Sequence, residues 1–317
     1  MKWISVLLLA WPLAAQVQLT PSAGQIRIEI GGQAFSTFYF GPETTKPYLH
    51  PLRSASGKIM TRQYPMEQVE GESRDHPHHR GLWFTHGDVN GIDFWGNELT
   101  QKGGNKGRVV VVGTPSAKSG ARSGWLRAQF QWKDPSGKVL LTEDRKMSFR
   151  GDAKLRVVDL DITLTAVEKV KFGDTKEGVF AIRMATPLEE PTPKSKGPAR
   201  TGKMVNAEGL ETEKNVWGKR SAWVDYAGEL EGEKLGIAIL DHPTNPKHPT
   251  YWHSRSYGLF AANIFGEKDF LRDATKDGSV TVEPGKTLRF RYRVIIHTGD
   301  GKSADIAGMY QKFAAGK

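Results

Sequence analysis

The sequence predicts an all-β protein, a large antiparallel β-sandwich carrying one short C-terminal helix. Three observations predict it. Apolar and polar residues alternate with period two wherever a clear pattern exists, turn-forming residues separate those segments, and helical periodicity is confined to the C-terminus. The 35 glycines and 17 prolines fall mostly between the alternating segments, as many turns and long loops require.

The first strand signal sets Ile26, Ile28 and Ile30 against Arg27 and Glu29. Next, Leu126, Ala128, Phe130 and Trp132 alternate with Arg127, Gln129 and Gln131, and the turn Asp134-Pro135-Ser136-Gly137 leads into a partner strand from Val139 to Phe149. Val158, Leu160, Ile162 and Leu164 repeat the pattern against Asp159, Asp161, Thr163 and Thr165. After the turn at Glu283-Pro284-Gly285-Lys286, Leu288, Phe290, Tyr292, Val294 and Ile296 face away from Arg289, Arg291 and Arg293. One wet face per strand is the mark of antiparallel sheets. At the end, Ser303 is expected to cap a helix carrying Ile306, Met309, Tyr310 and Phe313. Residues 41–104 and 187–217 break the alternation, and the second, rich in proline, reads as a long surface loop.

Met1 to Ala15 reads as a secretory signal: Lys2 gives a positive start, Trp3 to Leu13 an apolar run, and Ala14 and Ala15 a cleavage site. The run is too short for a membrane span, which needs roughly 20 apolar residues, so no membrane insertion is expected after its removal. Residues 16–317 are read as a single β-sandwich domain. Absence of cysteine removes thiolate chemistry and cysteine-ligated zinc, and fits a periplasmic or secreted protein held together by packing alone. The net charge of +10 is spread over solvent faces of strands without a basic run or a nucleic-acid motif, so no nucleic-acid partner is expected.

Chemistry concentrates in Asp75-His76-Pro77-His78-His79-Arg80, whose Asp-His-Pro opening recurs at Asp241. Imidazole titrates near neutrality and ligates metals, so the cluster suggests proton transfer, metal binding or recognition of polar ligands. On extended backbone His76 and His78 would face one side and could present two ligands to a divalent metal, with His79 opposite. No other cofactor is expected. Downstream, Trp83, His86, Asp88, Asp93 and Trp95 interleave aromatic and polar groups, the mixture a sugar site needs, because pyranose C–H faces stack on rings while hydroxyls demand fixed donors and acceptors. The segment from Asp241 through His242, His248, Trp252 and His253 repeats that composition, and the two walls are expected to converge. Glu177, in a turn before a strand, is a candidate general base, and Arg183, on that strand, an anchor. No nucleophile elbow, P-loop or dinucleotide fingerprint is present.

Asp75 to Trp83, Gly87 to Trp95, Gly173 to Gly178, Asn206 to Gly209 and His248 to His253 together resemble an exported bacterial family labelled PmoA-like, over nearly the whole mature chain. The label implies methane oxidation, but a methane monooxygenase membrane subunit needs several apolar spans, and this sequence has none after its signal. At the level of fold the pattern looks like the supersandwich of galactose-mutarotase-like aldose epimerases and some polysaccharide lyases.

Three functions fit these residues. The first is an exported carbohydrate-active enzyme, an epimerase, lyase or hydrolase, with His78, His79, His86, Glu177 and His253 as acid–base candidates. Its sugar or glycan would be held by Arg80, Trp83, Asp88, Asp93, Arg183, His242 and Trp252. The second is a non-catalytic glycan-binding module using the same side chains. The third is a metal-dependent enzyme built on His76 and His78.

Overall fold

A computed structural model of the chain describes residues 15–195 and 197–316, so the expected signal lies outside the described residues save for Ala15. Strands run in chain order as β1 (Val17–Ser22), β2 (Gln25–Ile30), β3 (Gln33–Tyr39), β4 (Tyr48–His50), β5 (Leu82–His86) and β6 (Arg108–Lys118). Then come β7 (Gly124–Lys133), β8 (Val139–Gly151), β9 (Leu155–Ala166), β10 (Val170–Phe172), β11 (Gly178–Arg183) and β12 (Lys203–Asn206). The last six are β13 (Trp223–Leu230), β14 (Glu233–Asp241), β15 (Tyr251–Ser254), β16 (Leu259–Asn263), β17 (Val280–Val282) and β18 (Thr287–Thr298).

Two eight-stranded antiparallel sheets face each other. The first has the order β1-β2-β3-β4-β5-β11-β16-β15 and the second β12-β13-β14-β18-β9-β8-β7-β6; β10 and β17 form a separate pair. The fold is therefore mostly β, as the alternation predicts. Inward side chains of both sheets merge into one core, with Ile26, Ile28 and Ile30 meeting Phe130, Leu160, Phe290 and Trp252. The polar faces of the second sheet carry cross-strand ion pairs, Arg289 with Asp161 and Arg293 with Asp159, which spreads the basic charge over pairs instead of a patch.

Helices are more numerous than expected. Besides α3 (Ile306–Ala314), two five-residue helices, α1 (Thr212–Val216) and α2 (Glu267–Leu271), lie in connections. Each is too short to show a 3.6-residue period, so the sequence carried no signal for them. Asp305, not Ser303, caps α3 by accepting from the Gly308 amide, while Ser303 closes a turn with Asp300. Ile306 and Phe313 of α3 pack onto Ala238, Leu240 and Ile295 on the outer face of the second sheet.

The first sheet is also covered on its outer face. Along one transverse row, Tyr39, Tyr48, Trp83, Ala181, Ala261 and His253 are successive register partners. Met66, from the connection between β4 and β5, and Trp95, from that between β5 and β6, pack onto this row. Ala181 and Ala261, between Trp83 and His253 on this row, are fully buried beneath that cover, and the candidate site lies beside it around His76.

Candidate functional site

The segment after Ser73 is a turn, not the extended backbone the spacing argument assumed. His76 adopts a φ of 44°, in the left-handed region, and the His79 amide closes back on the His76 carbonyl at 3.0 Å. The consequence is a column of rings. His76 stacks on His79 at 4.8 Å between centroids and on Tyr257 at 5.6 Å, both within 8° of parallel, and His79 stacks on Trp83 at 5.2 Å. His76 and His78 meet edge to face, with centroids 5.6 Å apart. Neither the common orientation of His76 and His78 nor the opposite orientation of His79 holds. Among the described residues no group of three His, Asp or Glu side chains could hold a metal ion, so the expected pair of ligands has no third member.

Hydrogen bonds fix what each imidazole can do. His79 Nδ1 lies 3.2 Å from an Arg183 guanidinium nitrogen, which can only donate, so Nδ1 is an acceptor and the proton sits on Nε2. In the same way Trp217 Nε1 donates to His253 Nδ1 at 2.9 Å, leaving Nε2–H as the outward donor. Gln101 donates to His78 Nδ1 at 3.1 Å. Burial pushes all three below the ordinary imidazole range, His253 to about 3, with Lys46 adding to the effect on His78 and Arg255 to that on His253. They are neutral donors and structural rings, not the proton-transfer groups expected of His78, His79 and His253.

His76 is the exception. Its Nδ1 lies 2.9 Å from Asp75 Oδ2, its side chain is 41% exposed, and its Nε2 makes no hydrogen bond among the described residues. Asp75 Oδ1 is in turn held by Arg62 at 2.5 Å and by Arg183 and the Ser73 hydroxyl at 3.2 and 3.1 Å. Burial alone would raise the Asp75 carboxyl, but the His76 bond and the Arg183 and Arg62 charges outweigh it and hold the group well below the carboxylate range. A fixed carboxylate orienting an imidazole whose second nitrogen is free is the arrangement of a general base.

Glu177 enters from the turn before β11, where its backbone carbonyl accepts from the Gly87 amide at 2.7 Å. Burial raises its carboxyl, with Lys176 and His76 pulling the other way. His253 feels the His76 charge too, and Tyr257 those of Glu177 and Asp75, so these five side chains share one electrostatic neighbourhood. Of the two expected walls, His253 comes to the hollow.

The rest of the second wall does not. Asp241 ends β14 in the second sheet, where it accepts from His248 Nδ1 at 2.7 Å, Asn245 at 2.6 Å and the Thr250 amide at 2.9 Å. His242 packs on Phe313 and takes a bond from Arg291 on that sheet's outer face. Trp252, one residue from His253, points inward by strand alternation and donates to the Ser221 carbonyl in the core.

Other expected contacts are consumed by structure. Arg80 forms a two-pronged pair with Glu98 at 2.9 and 2.7 Å and Arg183 is fully buried among His79, Ser73 and Asp75, so neither is free to anchor a ligand. Trp83 is buried floor beneath His79, not a stacking platform; the half-buried rings near the hollow are Tyr257 and Trp217. Asp93 accepts from the Trp95 and Gly96 amides in its own turn, and Asp88 from Gly91 at the far end of β5. His86 lies inside the sandwich, donating to the Gly173 carbonyl at 2.8 Å between Phe172 and Phe265, with burial lowering it to about 4. Sequence reasoning missed Asp75 as the orienting group, Tyr257 and Trp217, although Asp75 stood next to His76 in the motif throughout.

Solved structures give distant likenesses of overall architecture. The GH36 α-galactosidase AgaB from Geobacillus stearothermophilus aligns at 7% identity and a TM-score of 0.43, over 90% of this chain and 41% of that one. Galactose 1-epimerase from Lactobacillus acidophilus NCFM aligns at 8% identity and a TM-score of 0.40, over 90% and 99%. A galactose mutarotase-like protein from Clostridium acetobutylicum aligns at 9% identity and a TM-score of 0.36, over 90% and 99%. This chain thus spans about two fifths of the α-galactosidase, and no curated protein matches it. The family model that matches does not carry the PmoA description the motifs suggested. Matched over residues 25–311, the chain belongs to DUF6807, a family of unknown function.

Proposed function

We propose that the surface around the exposed His76 ring binds a carbohydrate and transfers protons on it, as an epimerase, lyase or hydrolase does, in a protein exported to the periplasm or beyond. The observation that carries this is His76, clamped on both faces by His79 and Tyr257, bonded to Asp75 through Nδ1 and open at Nε2. Nε2 takes a proton from the sugar, and the imidazolium so formed is stabilised by Asp75. Glu177, whose carboxyl burial shifts upward, returns a proton on the other side of the reacting centre. The Nε2–H of His253 holds a hydroxyl or developing oxyanion, and the half-buried ring of Trp217 faces the apolar side of a pyranose.

The test is proton NMR in D2O of the protein with aldoses, uronic acids, methyl glycosides and soluble polysaccharides, which reads anomer interconversion, C–H exchange and bond cleavage together. Turnover of one sugar class is expected, falling by about 10²-fold or more in His76→Ala and in Glu177→Gln. Wild-type turnover in both variants, or sugar binding with no chemical change, overturns the catalytic assignment; the second result makes the protein a binding module.

A further inference from the structure

The second sheet carries a feature that the His76 chemistry does not use. On its outer face, Lys203, Ala227, Gly236 and His297 are successive register partners on β12, β13, β14 and β18, and Asp225 stands two residues from Ala227. Gly236 has no side chain, and a Cβ there would sit 2.5 Å from His297 Cε1. Through that gap the His297 ring crosses β14 and places Nε2 2.8 Å from Asp225 Oδ1. Nδ1 faces the Thr298 carbonyl at 3.2 Å, so both nitrogens meet acceptors and the ring is held as an imidazolium. Both residues are buried, at 1% and 2% exposure.

Asp225 is at the same time part of the wall of a cleft of about 830 Å³ between β12, β13 and the turn leading into α3. Its other oxygen, Oδ2, makes no hydrogen bond among the described residues and is approached by Gly301, where a Cβ would come within 2.7 Å. Trp223, half-buried at the edge of the α3 contact, adds an indole to the lining.

We infer that this cleft is a second ligand site, separate from the His76 hollow, and that its ligand is a neutral carbohydrate. A donor hydroxyl meets Asp225 Oδ2, and a pyranose C–H face meets Trp223. Charge selects against acids: three lysines (Lys203, Lys234, Lys302) line the cleft against five carboxylates (Glu211, Asp225, Glu229, Asp300, Asp305). The His297 imidazolium offsets only one of these. Volume agrees, since pockets for molecules of this size run to about 300–1,000 Å³.

Saturation-transfer NMR on the full chain, with methyl glycosides of glucose, galactose, mannose and xylose as probes, tests the assignment. Transfer to at least one neutral glycoside is expected in the His76→Ala, Glu177→Gln double variant. It should fall at least tenfold in Trp223→Ala and again in Ala307→Trp, which fills the cleft from an exposed helix position and leaves the core alone. No transfer to any probe overturns the inference, as does transfer unchanged in Ala307→Trp. Transfer lost in the double variant yet intact in Trp223→Ala also overturns it, while leaving the His76 site standing.

Discussion

Replacing Asp225 by Asn should destabilise the protein in a pH-dependent way. In the native chain, burial lowers His297 but the Asp225 hydrogen bond and charge outweigh it, so its folded value lies above 6.5. A raised imidazole contributes stability that is fully present below the unfolded value and is lost as pH rises through the folded one. Without the carboxylate, burial is left as the largest influence and the sign reverses: the folded state then resists protonation, and the penalty grows as pH falls below 6.5. Both side chains are almost fully buried, so removing one partner costs about 3–5 kcal/mol where the imidazolium matters. For roughly 300 residues the unfolding entropy is about 0.6 kcal/mol/K, which converts that cost to a Tm lower by about 5–8 °C near pH 5.5. Near pH 8.5 the imidazole can shed its proton, and the difference should be less than half as large. Calorimetry of both proteins at the two pH values measures it. A difference independent of pH, or larger at pH 8.5, would refute the assignment of His297 as a buried imidazolium.

Two further outcomes bear on the His76 hollow. Trp217→Phe removes the donor that fixes the His253 tautomer, so long-range ¹⁵N–¹H NMR should show its single Nε2–H form giving way to a mixture, with stability lowered by about 1–3 kcal/mol; an unchanged tautomer contradicts the hydrogen-bond reading. Ala261→Leu overpacks the buried cluster of Trp83, Trp95 and Ala181 next to His253, so sugar turnover should fall while urea unfolding shows a loss of about 1–3 kcal/mol; unchanged turnover places the reaction elsewhere.

Much of the fold was legible because strands with one wet face print their geometry directly. The segments holding Ile26, Leu126, Val158 and Leu288 are β2, β7, β9 and β18, each found where alternation put it. Strand β11 hides its geometry, because all six of its residues are buried and its two faces cannot be told apart from composition. Ala181 therefore gave no sign of facing the outer cluster around Trp83, nor did Ala261 in β16, where every residue is again buried. The loops of the site were harder still. His76 and His78 obey the same-side rule only on extended backbone, and a left-handed φ at His76 cancels it. Arg80 and Arg183 looked like ligand anchors because their partners, Glu98 in one case and Asp75 with His79 in the other, lie 18 and more than 100 positions away or in another loop.

The two Asp-His-Pro segments show what decides between site and scaffold. In the first, two buried guanidiniums saturate one carboxylate oxygen of Asp75, and the other oxygen orients an imidazole that remains open at its far nitrogen. In the second, Asp241 is fully buried and spends both oxygens on Asn245, His248 and the Thr250 amide, binding a loop back onto β14. Its neighbour His242 turns to Thr244 and Arg291 instead, and the imidazole that Asp241 does orient, His248, meets the Tyr310 hydroxyl at its far nitrogen. Identical tripeptides thus diverge by the supply of partners. A carboxylate whose demands are met by fixed cations can hold a histidine in readiness, whereas one that must satisfy backbone and side-chain donors from its own loop becomes part of the fold. On that criterion the proposed chemistry rests on Asp75 and His76, not on Asp241.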